Sequence, residues 1–529
     1  MSLYWATLVA GATAVLVARA LVAERQTVDD VFIFLRYARN LATHGQYAFD
    51  ACDASAWRPW CAPVEGTSSV AWTAWLACAW RLGWRGIGAA KALSLATAAL
   101  VPAACALAVR RAAPDRPLLA ALPAVALALD ADLATWAVSG MDTALWTLAC
   151  VACVVLAAAG RTRASALLLG GLACVRPEGP LFACLGVVAL APDRRALVRL
   201  AGIAAAPVVL LTLARLAYFH DVVPNTFWAK MNAVDGKDYG GLGYAASALV
   251  RRPMLLVGLP VVAVVAVGRR DVALRLSLAL LFASFLFVLL AGGDWMPDRR
   301  LLVVALPLAA IAGTLGLARL DARVPRALVP AVAAVLVVEA GLTFDHAIDQ
   351  DWRRHEWLDE RVARWRPAAR PFVEPYALDW MPSHLLDELA PYVAPGDVVA
   401  HVDVGELPYV LGDVAFLDGF GLVDRDAGRL AFSPGDPSLR AAAREAFFAA
   451  RPAAVITVLD ESTGRPFSPA HDAAMQDARF AQGWREVSRV PTWGGHPCVT
   501  YARRDIAPAD HGVAVARARA WRQSVTDVR

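Results

Sequence analysis

The stretch Thr27-Val28-Asp29-Asp30-Val31-Phe32-Ile33-Phe34-Leu35-Arg36-Tyr37-Ala38-Arg39-Asn40 follows directly on an apolar run from Leu3 to Ala23. It therefore places two adjacent carboxylates where a membrane span would emerge into water. No Pro or Gly interrupts the segment up to Thr43, and Gly45 follows, so the pattern predicts a helix from Asp29 to Thr43 with Thr27 as its N-cap. Thr27 and Asp30 also fit a capping box, and acids in a first helical turn are favoured by the helix dipole. A purely structural role for the acid pair thus stands beside a chemical one, and the company the helix keeps weighs between them.

The chain of 529 residues is 58% hydrophobic and 19% charged, with a mean hydropathy of +0.48. Its apolar residues come in long runs, the mark of a polytopic α-helical membrane protein. Leu3–Ala23 has neither a basic flank nor a clear cleavage site and reads as a retained helix. Further runs are Ile87–Val109, Leu118–Leu133, Thr143–Ala159, Ser165–Val175, Pro180–Leu190, Leu197–Tyr218, Met254–Val267, Val272–Ala291, Leu301–Ala318 and Ala327–Thr343. Ser68–Trp84, with Trp72, Trp75, Trp80 and Trp84, is expected to lie along the membrane interface.

The net charge of +4 arises from arginine clusters in loops, which argue for topology and not for nucleic-acid binding. Placing Arg110, Arg111 and Arg116, then Arg161 and Arg163, then Arg194, Arg195 and Arg199, then Arg269, Arg270 and Arg275, then Arg319, Arg323 and Arg326 inside turns the intervening loops outward. Those loops are Ser139–Asp142, Arg176–Gly179, Tyr218–Tyr244 and Gly292–Arg300. With the acid pair on the same side, parity gives about eleven crossings, an inner N-terminus and an outer C-terminus.

From Phe344 the composition becomes that of a soluble domain. A transmembrane domain over 1–343, including an outward loop 24–86, is therefore expected to precede an extracytoplasmic α/β domain over 344–529. Asp351–Arg366 reads as a polar helix, Val398–Val402 and Ala453–Val458 as strands, and Ser438–Ala450 as a helix. Cys52 and Cys61 flank a polar, Trp-rich loop and would close a disulfide ring if that loop faces an oxidising compartment. Most other cysteines sit in apolar runs as small hydrophobes.

The outward loops collect Asp29, Asp30, Arg36, Arg39, Glu65, Asp142, Arg176, Glu178, His220, Asp221, Lys230, Asp294, Asp298, Arg299 and Arg300. A carboxylate among Arg and Lys suits a reaction in which a hydroxyl loses a proton while a phosphate leaves. Taken singly, Arg299 and Arg300 read as snorkelling at a helix end, and Arg176 with Glu178 as a local ion pair. His401, Asp403 and Glu406 outline a metal site only superficially, being short of ligands, and are expected to be structural. No Walker loop or dinucleotide fingerprint is present, so nucleotide use is not indicated.

Six blocks carry a resemblance: Asp29-Asp30-x-Phe-Ile-x-x-Arg-Tyr-Ala-Arg-Asn-Leu, Val64-Glu65-Gly66-Thr67-Ser68, Ser139-Gly140-Met141-Asp142-Thr143-Ala144-Leu145, Arg176-Pro177-Glu178-Gly179, Val223-Pro224-Asn225-Thr226-Phe227-Trp228-Ala229-Lys230 and Gly292-Gly293-Asp294-Trp295-Met296-Pro297. In this order they resemble the GT-C-type membrane glycosyltransferases, nearest to the terminal arabinofuranosyltransferases that use polyprenyl-phosphate-arabinose. His401–Arg425 resembles the outer domain of that group more loosely, and Gly140-Met141-Asp142 departs from the group's bulkier or Glu-containing form.

The resemblance implies an inverting enzyme that moves a sugar, with arabinofuranose first in line, from a polyprenyl-phosphate donor to an acceptor hydroxyl. It implies Asp29 or Asp30 as base, with a slight preference for Asp29, and Arg176, Lys230, Arg299 and Arg300 on the donor phosphate. It implies Arg36, Tyr37, Glu65, Asp142, Glu178, His220, Asn225, Asp294 and Trp295 around the sugar or acceptor. The expected partners are the lipid-linked donor, a glycan or glycoprotein acceptor and membrane lipid, with no nucleic acid. The expected location is a bacterial inner membrane, multi-pass, with the active site and C-terminal domain on the periplasmic side. The resemblance fixes no cofactor, and Asp29, Asp30 and Asp294 leave the need for a divalent cation open. The competing readings are a transporter or flippase of lipid-linked sugars and a non-catalytic envelope assembly protein.

Overall fold

The structure, a computed structural model, describes residues 2–22, 28–51, 63–231, 240–266, 271–294, 299–320, most of 331–339, 391–412, 414–491 and 496–508, with isolated residues between. Its helices are α1 (Ser2–Val22), α2 (Asp30–His44), α3 (Val70–Arg81), α4 (Gly86–Ala112), α5 (Leu122–Ala128), α6 (Ala131–Ala137), α7 (Thr143–Ala158), α8 (Thr162–Gly171), α9 (Gly179–Leu190), α10 (Arg194–Phe219), α11 (Asn225–Met231), α12 (Gly240–Arg251), α13 (Leu259–Ala266), α14 (Val272–Ala291), α15 (Ala305–Leu320), α16 (Glu406–Val410), α17 (Arg425–Phe432), α18 (Pro437–Ala450), α19 (Pro469–Met475) and α20 (Ala478–Gly483). Its strands are β1 (Val398–His401), β2 (Ala415–Asp418), β3 (Ala454–Val458), β4 (Trp484–Pro491) and β5 (Pro497–Arg503). Thr27, Cys52, Cys61, Trp295, the polar segment Asp351–Arg366 and the expected boundary at 343/344 lie outside the described residues.

Packing divides the chain into two compact units. The first comprises Met1–Glu24, Ala90–Leu213 and Val234–Arg366, and the second Arg25–Ala89, Ala214–Ala233 and Pro367–Arg529.

Among the described residues, five helices are long and apolar enough to cross a membrane, or up to seven if each of two bent helix pairs is one span. The chain is accordingly consistent with a multi-pass membrane protein. The long apolar helices follow the predicted runs closely, because a long uninterrupted run leaves the backbone no partner but its own helix. α7, α8 and α9 are apolar but too short to be counted by length.

The bends in the first unit have local causes. The predicted run Leu118–Leu133 breaks at Asp130, whose carboxylate accepts the Leu133 N–H at 2.9 Å and starts α6, so the pair bends by 69°. The other pair, Gly240–Arg251 and Met254–Ala266, bends by 105° at Pro253, a residue that cannot donate to the helix it interrupts. Charges at the two breaks neutralise one another. Arg252 Nε donates to Asp130 at 2.7 Å, and Arg252 and Arg251 lie 3.5 and 3.9 Å from Asp132. On α15, Gly316 lets α13 pack closely, since a Cβ there would meet Ala263 Cα at 2.8 Å.

The second unit carries a five-stranded sheet of order β2-β1-β3-β5-β4. β1 runs parallel to β2 and β3, whereas β5 pairs antiparallel with β3 and β4. Alternate residues of β1 and β3 feed apolar clusters on the two faces. Val398, Ala400 and Val455 join Phe447, Phe480 and Trp484, while Val399 and Ile456 join Ile33, Tyr37 and Phe49. Ile33 and Tyr37 stand one turn apart on α2, so the acid-pair helix shares a core with the C-terminal sheet.

α2 begins at Asp30 and ends at Gly45, which takes the left-handed conformation (φ 70°) and donates its N–H to Asn40 O. α3 is N-capped by Ser69 and buries Trp72 and Leu76. It leaves Trp75, and beyond its end Leu82 and Trp84, exposed. Its 12 residues are too few to cross a membrane.

Candidate functional site

Asp29 has helical backbone angles (φ −56°, ψ −39°) and makes no capping hydrogen bond to α2. Its carboxyl reaches instead to the loop after β1, where Oδ1 accepts the Glu406 N–H at 2.8 Å beside Asp403. Gly405 passes so close that a Cβ there would lie 1.4 Å from Asp29 Oδ2. The loop is braced behind: Asp403 N–H donates to His401 Nδ1 at 2.6 Å, which fixes that ring neutral with its proton on Nε2. Burial, with a smaller contribution from His471, pushes the His401 imidazole down to about 3. Burial followed by the Asp403 charge holds the Asp29 carboxyl well above the usual range, and burial raises Asp403 as well.

Asp30 faces differently. Its side chain is 17% exposed and its Oδ2 lies 3.6 Å from Lys230 Nζ. Lys230 is carried by α11, which Asn225 fastens in place. The Asn225 amide donates to the carbonyls of Gly421, Leu422 and Asp424 at 2.7, 3.2 and 2.8 Å, and its own N–H donates to Glu65 O. Glu65 is buried and accepts both Nε and Nη2 of Arg215, at 2.7 and 2.8 Å.

Arg36 and Tyr37 hold this unit together. Arg36 donates to the carbonyls of Phe49 and Val414, each at 2.9 Å, and to Pro408 O and Asp50. Tyr37 donates its hydroxyl to Val64 O at 2.6 Å and accepts the Gly66 N–H. His220 is exposed with a left-handed backbone (φ 56°). Asp29, Asp30, Arg36, Tyr37, Glu65, His220, Asn225 and Lys230 thus fall in one unit.

Asp142, Arg176, Glu178, Asp294, Arg299 and Arg300 fall in the other. There Arg176 Nε lies 2.8 Å from Glu178 and 4.0 Å from Asp142. Asp142 is buried, and neither of its carboxylate oxygens has a hydrogen-bond partner among the described residues. The neighbouring Thr143 hydroxyl is in the same state. Arg300 pairs with Asp294 at 2.8 Å, and Arg299, left-handed at φ 48°, donates to Ser247 Oγ at 2.7 Å.

Sequence reasoning did not connect Asp403 to Asp29 or Arg215 to Glu65. The only hint was the acidic turn Asp403–Glu406, read there as a superficial ligand set. Among the described residues no group of three or more His, Cys, Asp or Glu is arranged to hold a metal ion.

Residues 378–515 match a family model described as a domain of unknown function (DUF8728). None of the curated proteins matches the chain.

Proposed function

We propose that this protein is an inverting glycosyltransferase of the GT-C kind, which moves a sugar, arabinofuranose first in line, from a polyprenyl-phosphate donor to an acceptor hydroxyl at the outer face of a bacterial inner membrane. In this reading the first unit supplies about eleven crossings, with its shorter apolar helices counted among them. The observation that carries the proposal is the acid pair itself. One carboxylate is accessible beside a lysine and the other is fixed by a distant loop, an arrangement that helix capping does not require.

One of Asp29 and Asp30 takes the acceptor proton as the acceptor oxygen attacks the anomeric carbon. The bond from that carbon to the phosphate oxygen breaks, and its electron pair leaves with the polyprenyl phosphate. Lys230 offsets negative charge on the departing phosphate. The C-terminal fold contributes the Asp403–Glu406 loop to the same acid pair.

A second reading, a transporter or flippase of lipid-linked sugars, has one observation in its favour. The bent helix pairs carry charges at their breaks, as discontinuous helices of transporters do. Purified protein given a short-chain polyprenyl-phospho-arabinofuranose and an arabinan acceptor separates the two. The proposal expects transfer by wild type and its loss in the Asp29→Asn/Asp30→Asn double variant. Movement of the lipid-linked sugar across vesicles without transfer to any acceptor overturns it.

A further inference from the structure

We infer that α11, α17 and the loop before α17 carry a second binding site for the acceptor, an aromatic platform on which Phe227, Trp228 and Phe420 hold a sugar residue set back from the hydroxyl that reacts. The inference rests on the glycosyltransfer reading and deepens it, naming the acceptor as an uncharged oligosaccharide.

The platform is built before any ligand arrives. The Asn225 amide clasps the carbonyls of Gly421, Leu422 and Asp424, which ties the start of α11 to the loop that carries Phe420. Gly428 then lets α17 close on α11, since a Cβ there would lie 2.9 Å from Asn225 Nδ2. Trp228 meets Phe227 and Phe432 edge to face, with ring centroids 5.3 and 5.2 Å apart, and its indole N–H donates to Asp221 at 3.3 Å. Asp221 is held in turn by Arg429 at 3.4 Å. Rings fixed in this way cost a ligand little ordering entropy.

Phe227 stands one turn before Lys230, whose Nζ lies 3.6 Å from Asp30, so the platform starts next to the reacting end. Its rings are open in part: Phe227 is 37% and Phe420 39% exposed, and among the described residues from 391 onward Phe420 is the one exposed large apolar side chain. Leu82 and Trp84, at 86% and 60%, stand clear of the protein as side chains entering lipid do, whereas these rings keep one side against it. The charges choose the ligand. Residues 220–231 and 419–432 hold Lys230, Arg425 and Arg429 against Asp221, Asp424 and Asp426, and Asp30 adds a further carboxylate. Such a surface has no excess of positive charge to draw an acidic polymer or lipid headgroups. An uncharged sugar fits it, laying its polarised C–H bonds on the electron-rich ring faces while its hydroxyls reach the carboxylates and guanidinium at the rim.

The test uses the purified full chain, a synthetic polyprenyl-phospho-arabinofuranose and two acceptors, methyl arabinofuranoside and an arabinan hexasaccharide. Wild type is expected to favour the hexasaccharide by about tenfold or more in kcat/KM. Phe227→Ala and Phe420→Ala are each expected to remove about three- to tenfold of that preference through the hexasaccharide KM, with the donor KM unmoved, and Phe227→Tyr and Phe420→Tyr to restore it at equal melting temperature. Alanine variants that keep the wild-type preference overturn the platform and leave glycosyltransfer standing. A raised donor KM with the preference intact makes the surface a seat for lipid and overturns the platform as well. Titration calorimetry of the hexasaccharide without donor decides the matter if wild type transfers nothing and the glycosyltransfer reading falls. Binding weakened by Phe227→Ala and Phe420→Ala then keeps the platform, and binding that neither variant weakens, or no binding, overturns it.

Discussion

Glu65 shows how a single side chain can be misjudged from its type. Read along the chain it is a carboxylate in an outward loop, a candidate for a sugar hydroxyl. In the fold both its oxygens are taken by the Arg215 guanidinium, and both side chains are largely withdrawn from water. Breaking such a pair by removing one charge leaves the other uncompensated. Glu65→Gln is therefore expected to destabilise the protein by about 3–5 kcal/mol, read by thermal unfolding of the purified chain; a melting temperature equal to wild type contradicts the pairing. Gly405 has no room for a side chain, and Gly405→Ala is expected to lower both melting temperature and transfer by displacing the Asp29 carboxyl. The helix of Asp29 and its stop at Gly45 were legible because both are set by neighbours within a few positions. The partner of Asp29 was not, since Glu406 lies 377 positions away and nothing local records the contact.

Among the elements, β1 and β3 were legible as short apolar, β-branched runs buried on both faces. β2, with only four residues, and the pairing order β2-β1-β3-β5-β4 were not, because order depends on which edges meet and not on pattern within a strand. The run Leu118–Leu133 reads as one helix by hydropathy, yet Asp130 at its end is an N-cap and begins another. The buried imidazoles of the sheet unit make a testable pH statement. His471 has an ordinary value of 6.5 and is pushed down to about 4 by burial, so the folded protein refuses a proton that the unfolded chain accepts. Its contribution to stability is complete above pH 6.5 and is lost as the pH falls toward 4. Asp418, raised by burial to about 7, works in the opposite direction over much of that window, so the wild-type profile alone hides the effect. The difference in unfolding free energy between His471→Leu and wild type is expected to shift in the variant's favour by about 1.4 kcal/mol per pH unit below 6.5. A difference independent of pH would contradict a buried neutral His471.

For the molecule as a whole, helices long and apolar enough to cross a membrane were legible directly, because hydropathy over a span length is a local property. They did not reveal that residues Arg25–Ala89 and Ala214–Ala233 pack with the C-terminal fold, since that grouping is made by contacts between segments hundreds of positions apart. The proposed topology puts the Arg110–Arg116 loop and the Tyr218–Tyr244 segment on opposite sides of the membrane. Asp115 and His220 are both exposed, so a cysteine at either is open to reagent. His220→Cys is expected to react with an impermeant thiol reagent in intact cells, and Asp115→Cys only after permeabilisation; labelling of both from one side contradicts the topology. The proposed reaction is a single displacement at the anomeric carbon assisted by one base. It is tested most directly by determining the anomeric configuration of the product formed from a synthetic polyprenyl-phospho-arabinofuranose of defined configuration. Wild type is expected to give a product of inverted configuration, and a product of retained configuration rules out the single displacement.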